Sequence, residues 1–280
     1  MNFDWILDRV EDDSKASKMY NKRRRLEGKL KVVQIIAVTN QKGGVGKTTT
    51  TINVAYNLAK EGKRVLLVDL DPQGNATSGL SVSKSSATTR DVLSKKVELS
   101  KAVQKTAYKN LAVLPTDAEL ATLETEIATA KDRAIRLKQV LVDAQYDVVL
   151  IDCPPSLGLL TVNALTAANS VIIPVQTEYY ALEGLGQLLE TMKLVRQALN
   201  PRLAILGVVM TMHNARTTLS AQVEEQLKKH FKERLFETVV PRNIRVAEAP
   251  SHGKPVGEFD KWSKGARAYK ALSKEVMERL

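Results

Sequence analysis

From residue 32 onward the chain alternates short, unbroken apolar runs with longer stretches whose apolar residues recur every three or four positions. The runs are VVQIIAVT (32–39), RVLLVDL (64–70), LAVLP (111–115), YDVVLIDCP (146–154), SVIIPV (170–175), LAILGVVMT (203–211) and ETVVP (237–241). Continuous rather than alternating apolarity is the pattern of parallel strands covered on both faces. Between most of them lie helical patterns such as TTTTINVAYNLAKEGK and ALEGLGQLLETMKLVRQAL. This rhythm predicts an α/β fold: a doubly wound, mostly parallel sheet with helices on both faces and ligands at the carboxyl ends of the strands. The Ser-, Thr- and Lys-rich stretch 76–100 reads as irregular chain or short helix, and no internal repeat is visible.

Residues 1–31 stand apart from the 32–280 domain. Phe3, Ile6, Leu7 and Val10 have helical spacing, and a polar stretch then ends in the basic run Lys22, Arg23, Arg24 and Arg25. Docking of this apolar face on protein is the expectation, since five acids fall within the first 13 residues. Those acids also interrupt any signal-peptide layout, and no run approaches the ~18 apolar residues of a spanning helix. A soluble, cytoplasmic protein is expected. The single cysteine, Cys153, permits no intrachain disulfide.

Composition adds one strong signal. Forty-two Lys and Arg against 31 Asp and Glu leave a formal charge of +11, which points to a polyanionic partner, nucleic acid or membrane surface. The excess is concentrated late: residues 202–280 hold 15 basic and 9 acidic side chains.

The chemistry sits at NQKGGVGKTTTT (40–51), which follows one strand and opens one helix, the context expected of a phosphate-binding loop. Gly43, Gly44 and Gly46 let the backbone present its N–H groups to phosphate oxygens, with Val45 and Thr49 completing the loop. Lys47 is placed to reach the β and γ phosphates of ATP, and Thr48 to ligate Mg²⁺. Asp152 ends the buried run VVLIDCPP, where a Mg²⁺ would sit. Asp69 and Asp71, two apart on an extended segment, point the same way and are candidates for metal and attacking water. The loop departs from the usual spelling in one respect: Gln41 stands where the opening glycine belongs, with a second lysine, Lys42, beside it.

Five stretches together resemble the deviant Walker A ATPases, and within them the ParA/Soj partition ATPases: KGGVGKTT (42–49), LLVDLDPQGNAT (66–77), VLIDCPPSLG (149–158), PVQTEYYALEG (174–184) and VPRNIRVAEAPSHGKP (240–255). The likeness covers about residues 32–280. It implies that Lys42 is the signature lysine of an ATP-dependent sandwich dimer, reaching the partner's phosphates as an arginine finger does in trans. It also implies that Asp71 positions the water and that Asp69 supports the same switch segment. Asp152 would hold Mg²⁺ through water, grouped at the metal with Thr48 and Asp69. Met212 to Asn214 and Pro241 to Asn243, Arg242 included, would border the adenine. The resemblance further implies non-specific double-stranded DNA binding through Arg216 and Arg242, extended by Arg245 and Lys254, with the ATP-bound homodimer doubling the patch. A ParB-type centromere-binding partner would stimulate hydrolysis, and the protein would be nucleoid-associated.

Two other readings share the loop. A MinD-like membrane switch would use the carboxyl-terminal helix, where Tyr269, Leu272, Val276, Met277 and Leu280 share one face; core packing explains that face equally well, and no membrane partner is expected. An iron–sulfur reductase needs more cysteine ligands than Cys153 supplies, and burial is the expectation for that residue.

Overall fold

The computed structural model describes residues 33–83, 87–178, 181–214 and 217–280. Seven strands form one sheet: β1 (Gln34–Val38), β2 (Val65–Asp69), β3 (Gln104–Lys105), β4 (Leu111–Leu114), β5 (Val148–Asp152), β6 (Ser170–Gln176) and β7 (Ala204–Thr211), in the order β3-β4-β2-β5-β1-β6-β7. All neighbours are parallel except the edge pair β3 and β4. Five helices of eight residues or more are described: α1 (Lys47–Lys60), α2 (Leu159–Ala167), α3 (Ala181–Ala198), α4 (Thr218–Phe231) and α5 (Lys264–Arg279).

Strand periodicity divides the core into two layers. In β2, Leu66 and Val68 belong to the layer shared with α2 and α3, while Val65 and Leu67 belong to the layer under α1 and α5. β5 splits likewise, with Val149 and Ile151 on the first face and Val148 and Leu150 on the second. All these residues are buried, which is why their strands read as continuous apolar runs.

Six of the seven expected strands form. The seventh, 237–241, does not: it is extended chain with an isolated bridge between His213 and Pro241. The amides of Glu237 and Thr238 are taken by the Glu275 carboxylate of α5 at 2.9 and 2.8 Å, so no ladder develops there. The observed seventh strand, β3, is a polar two-residue edge that carries no apolar signal. The stretch 76–100 is irregular with short helices, as expected. The extension 1–31 lies outside the described residues.

Candidate nucleotide and switch site

The phosphate loop is pinned before it turns. Asn40, just after β1, donates from Nδ2 to the carbonyl of Pro174 on β6 at 2.7 Å, and its Oδ1 accepts from the Lys42 amide at 3.1 Å. The Thr211 hydroxyl at the end of β7 donates to the Val45 carbonyl at 2.8 Å. Between these anchors Gly44 and Gly46 take φ of +73° and +86°, a left-handed conformation that side chains other than glycine's disfavour. Gly46 caps α1 without any side-chain hydrogen bond, and the first turn holds no acid. Its free amides and positive end are therefore left for an anion.

Lys47 folds back across this loop, donating from Nζ to the Lys42 carbonyl at 3.1 Å. Burial lowers its pKa, and the nearby Asp152, Cys153 and Asp71 oppose that shift. A desolvated ammonium among acidic groups is a strong partner for phosphate.

Strand register sets the carboxylates. Val38 and Asp69 both align with Asp152, so the ends of β1, β5 and β2 meet beside the loop. Thr51 donates to Asp152 Oδ1 at 3.0 Å, whereas Asp152 Oδ2 is buried and has no hydrogen-bond partner among the described residues. Burial and then Asp69 push the Asp152 carboxyl up, while the Thr48 and Thr51 hydroxyls pull it down. An unsatisfied buried carboxylate oxygen close to Thr48 fits a divalent cation, which would supply the missing partner. No group of three or more His, Cys, Asp or Glu side chains at metal-holding distances occurs among the described residues.

Asp69 is placed differently from the metal role grouped with Thr48 and Asp152. Its Oδ2 accepts from the Thr77 amide and hydroxyl at 2.8 and 2.7 Å, and its Oδ1 accepts from the Asp71 amide at 3.3 Å. With both oxygens engaged, this buried carboxylate ties the segment 70–77 to the sheet, the supporting role. Asp71 follows at the strand's end, accepting from the Gln73 amide at 3.0 Å.

Lys42 and Arg242 meet at a residue with no role read from the sequence. Lys42 Nζ lies 2.9 Å from Glu178 Oε2, and Arg242 lies 3.8 Å from Glu178 Oε1, which also accepts from Gln176. Glu178 lies within the motif at 174–184, but nothing local distinguishes it from a solvated acid. Asn40 and Thr77 likewise carry no signal of their own in the sequence, because only the fold brings their partners to them.

The two segments expected at the adenine are adjacent. His213 bridges Pro241, and the Arg242 amide donates to the His213 carbonyl at 3.4 Å, setting Met212–Asn214 beside Pro241–Asn243. Of the residues expected at DNA, Arg242 is exposed beside Glu178, Arg245 is half exposed and paired with Glu248 and Asp260, and Lys254 is exposed. Arg216 lies outside the described residues. Cys153 is fully buried, with its thiol pushed up chiefly by that burial.

Comparison with known proteins decides the family. Residues 33–205 match the model of an AAA domain. The chain is 54% identical over 247 residues to the sporulation initiation inhibitor protein Soj of Bacillus subtilis, covering 87% of this chain and 98% of that one. It is 48% identical over 252 residues to the chromosome partitioning protein ParA of Myxococcus xanthus, covering 89% of each. The chain belongs to the Soj/ParA family of P-loop ATPases. Among solved structures it resembles cobyrinic acid a,c-diamide synthase from Mycobacterium smegmatis with bound ADP and magnesium, with a TM-score of 0.76, 38% identity and coverage of 87% and 93%. Lys47 lies near Asp152 and Asp71, Asp152 lies near Thr48 and Thr51, and Lys42 is paired with Glu178.

Proposed function

We propose that the protein is a DNA-partition ATPase in which ATP binding builds a sandwich dimer, the dimer holds DNA without sequence preference, and slow hydrolysis releases it. The observation that carries this reading is the conjunction of Lys47, Asp71 and Asp152 at one loop with a second lysine, Lys42, at its rim.

ATP and Mg²⁺ are the cofactors. Bound Mg²⁺ neutralises charge building on the β and γ phosphates. Lys47 turns from the Lys42 carbonyl to the phosphates, and the loop amides hold their oxygens. Asp71 orients the attacking water and accepts its proton, while Asp69 keeps that segment in place through Thr77. Lys42 exchanges Glu178 for the partner's phosphates, so the dimer forms only when ATP is present. Arg216, Arg242, Arg245 and Lys254 neutralise DNA phosphates, and a ParB-type centromere-binding protein stimulates turnover. Lys22 to Arg25, in the stretch 1–31 that precedes the 32–280 ATPase domain in sequence, add to the charge available to DNA.

The MinD-like alternative requires a free apolar face on the last helix. Tyr269, Leu272 and Val276 of α5 are instead buried in the core layer shared with α1, with the Tyr269 and Thr50 hydroxyls 3.4 Å apart. No helix among the described residues is long and apolar enough to cross a membrane. The burial of that face favours the partition reading. Sedimentation velocity tests it: ATP, but not ADP, should convert monomer to dimer, and Lys42→Ala should stay monomeric while still binding ATP. ATP-induced dimers of Lys42→Ala would overturn the sandwich argument.

A further inference from the structure

The most exposed large apolar side chain among the described residues is Trp262, at 77%. It belongs to a closed turn rather than a loose loop. The Trp262 amide donates to Asp260 Oδ1 at 3.1 Å, and the Ser263 amide and hydroxyl donate to the Asp260 carbonyl at 3.2 and 2.9 Å. Ser263 then caps α5 by accepting from the Ala266 amide at 3.1 Å. An indole held outward by a fixed backbone loses little freedom when it is covered.

Its surroundings are basic. Lys261 Nζ stands 5.1 Å from the indole centroid, and Lys264 and Arg267 follow on the exposed side of α5. The carboxylate that holds the Trp262 amide also pairs with Arg245, 3.4 Å from its Nε, so the tryptophan turn and the Ile244–Glu248 helix meet at Asp260. Asp260 is thereby engaged from both sides, and Glu248 is paired with the same arginine. The patch therefore presents net positive charge around one solvent-exposed aromatic ring.

We infer that Trp262 is a DNA contact of this protein, its ring lying on the deoxyribose edge of the duplex while Lys261 and Lys264 neutralise the flanking phosphates. The inference rests on the partition reading above and adds to it an apolar, charge-independent contact. Charge complementarity selects a polyanion as occupant. A sugar edge, present at every nucleotide, suits binding without sequence preference, whereas base-edge contacts would impose one. The ring also offers a large area at low entropy cost, and the indole N–H can donate to a phosphate oxygen.

The physical signature separates this contact from an ionic one. Loss of a lysine–phosphate contact makes the slope of log K against log salt shallower by about 0.9 per contact, whereas loss of an apolar contact lowers affinity without changing the slope. The test is ATP-dependent binding of the full chain to random-sequence duplex across a salt series. Trp262→Ala should weaken binding at least about fivefold with an unchanged slope, Trp262→Phe should recover most of the loss, and Lys264→Ala should make the slope shallower. The chain has two tryptophans, so Trp5→Phe leaves Trp262 as the sole tryptophan, and its selectively excited fluorescence should change on duplex binding. Unchanged melting temperatures show that the variants are folded. Wild-type affinity in Trp262→Ala, or constant emission from Trp5→Phe at saturation, overturns the inference alone. If the unsubstituted protein with ATP binds phosphatidylglycerol vesicles through Trp262 and ignores duplex, both this inference and the partition reading fall.

Discussion

Lys42 Nζ and Glu178 Oε2 lie 2.9 Å apart, so the lysine proposed to act on a partner's nucleotide is held within its own chain. Both side chains are partly exposed, at 27% and 47%. An exposed pair of this kind is worth about 0.2–1 kcal/mol, enough to bias Lys42 but too little to imprison it. The same carboxylate also faces Arg242. Glu178 thus links the rim of the nucleotide site to a segment expected at the adenine and at DNA.

Removing that hold should favour dimers. Glu178→Gln keeps the side chain's size and releases two lysines per dimer, so the ATP-dependent dimer dissociation constant should fall by about two- to thirtyfold. Sedimentation across a concentration series measures this. Weaker dimerisation would assign Glu178 to the interface instead.

Lys47→Ala removes the one buried ammonium at the loop. Charge-assisted contacts to phosphate are worth about 1.5–3 kcal/mol, so ATP affinity should fall by about 10- to 150-fold. Titration with a fluorescent ATP analogue checks it, and unchanged affinity would remove Lys47 from the site.

Asp71→Ala should bind ATP and dimerise but hydrolyse about 10²- to 10⁴-fold more slowly. Phosphate release and nucleotide retention, measured together, separate the cases. Rapid loss of unhydrolysed ATP would argue for a binding role.

Most of the fold was legible because strands buried on both faces read as unbroken apolar runs. β2 and β5 were found for that reason, and their final residues, Asp69 and Asp152, stood out as carboxylates ending apolar strands. The error at 237–241 has the same origin: ETVVP has strand composition, but Glu275, distant in sequence, takes its amides. Roles that depend on a partner were harder to read. Asp69 and Asp71 are alike in sequence, and only Thr77 distinguishes the anchoring carboxylate from its neighbour. Glu178 was invisible because its meaning lies in contacts with Lys42 and Arg242, far away along the chain.

Cys153 offers a check on the core independent of nucleotide. It is fully buried and its thiol is pushed up by desolvation, so at pH 8 it should stay protonated and unreactive, though a free thiol would be partly thiolate. A disulfide reagent such as Ellman's should react slowly with native protein and fully after denaturation. Fast native reaction would contradict the packing of β5 and revive a ligand role for this residue.

The central claim is that ATP switches DNA binding on. Titration of random-sequence duplex with the full chain in ATP, in ADP and without nucleotide, at two salt concentrations, tests it most directly. Tight binding with ATP alone, steeply weakened by salt and lost in Arg216→Glu while dimerisation persists, is the predicted result. Absence of duplex binding in every state, with ATP still bound, would contradict the account.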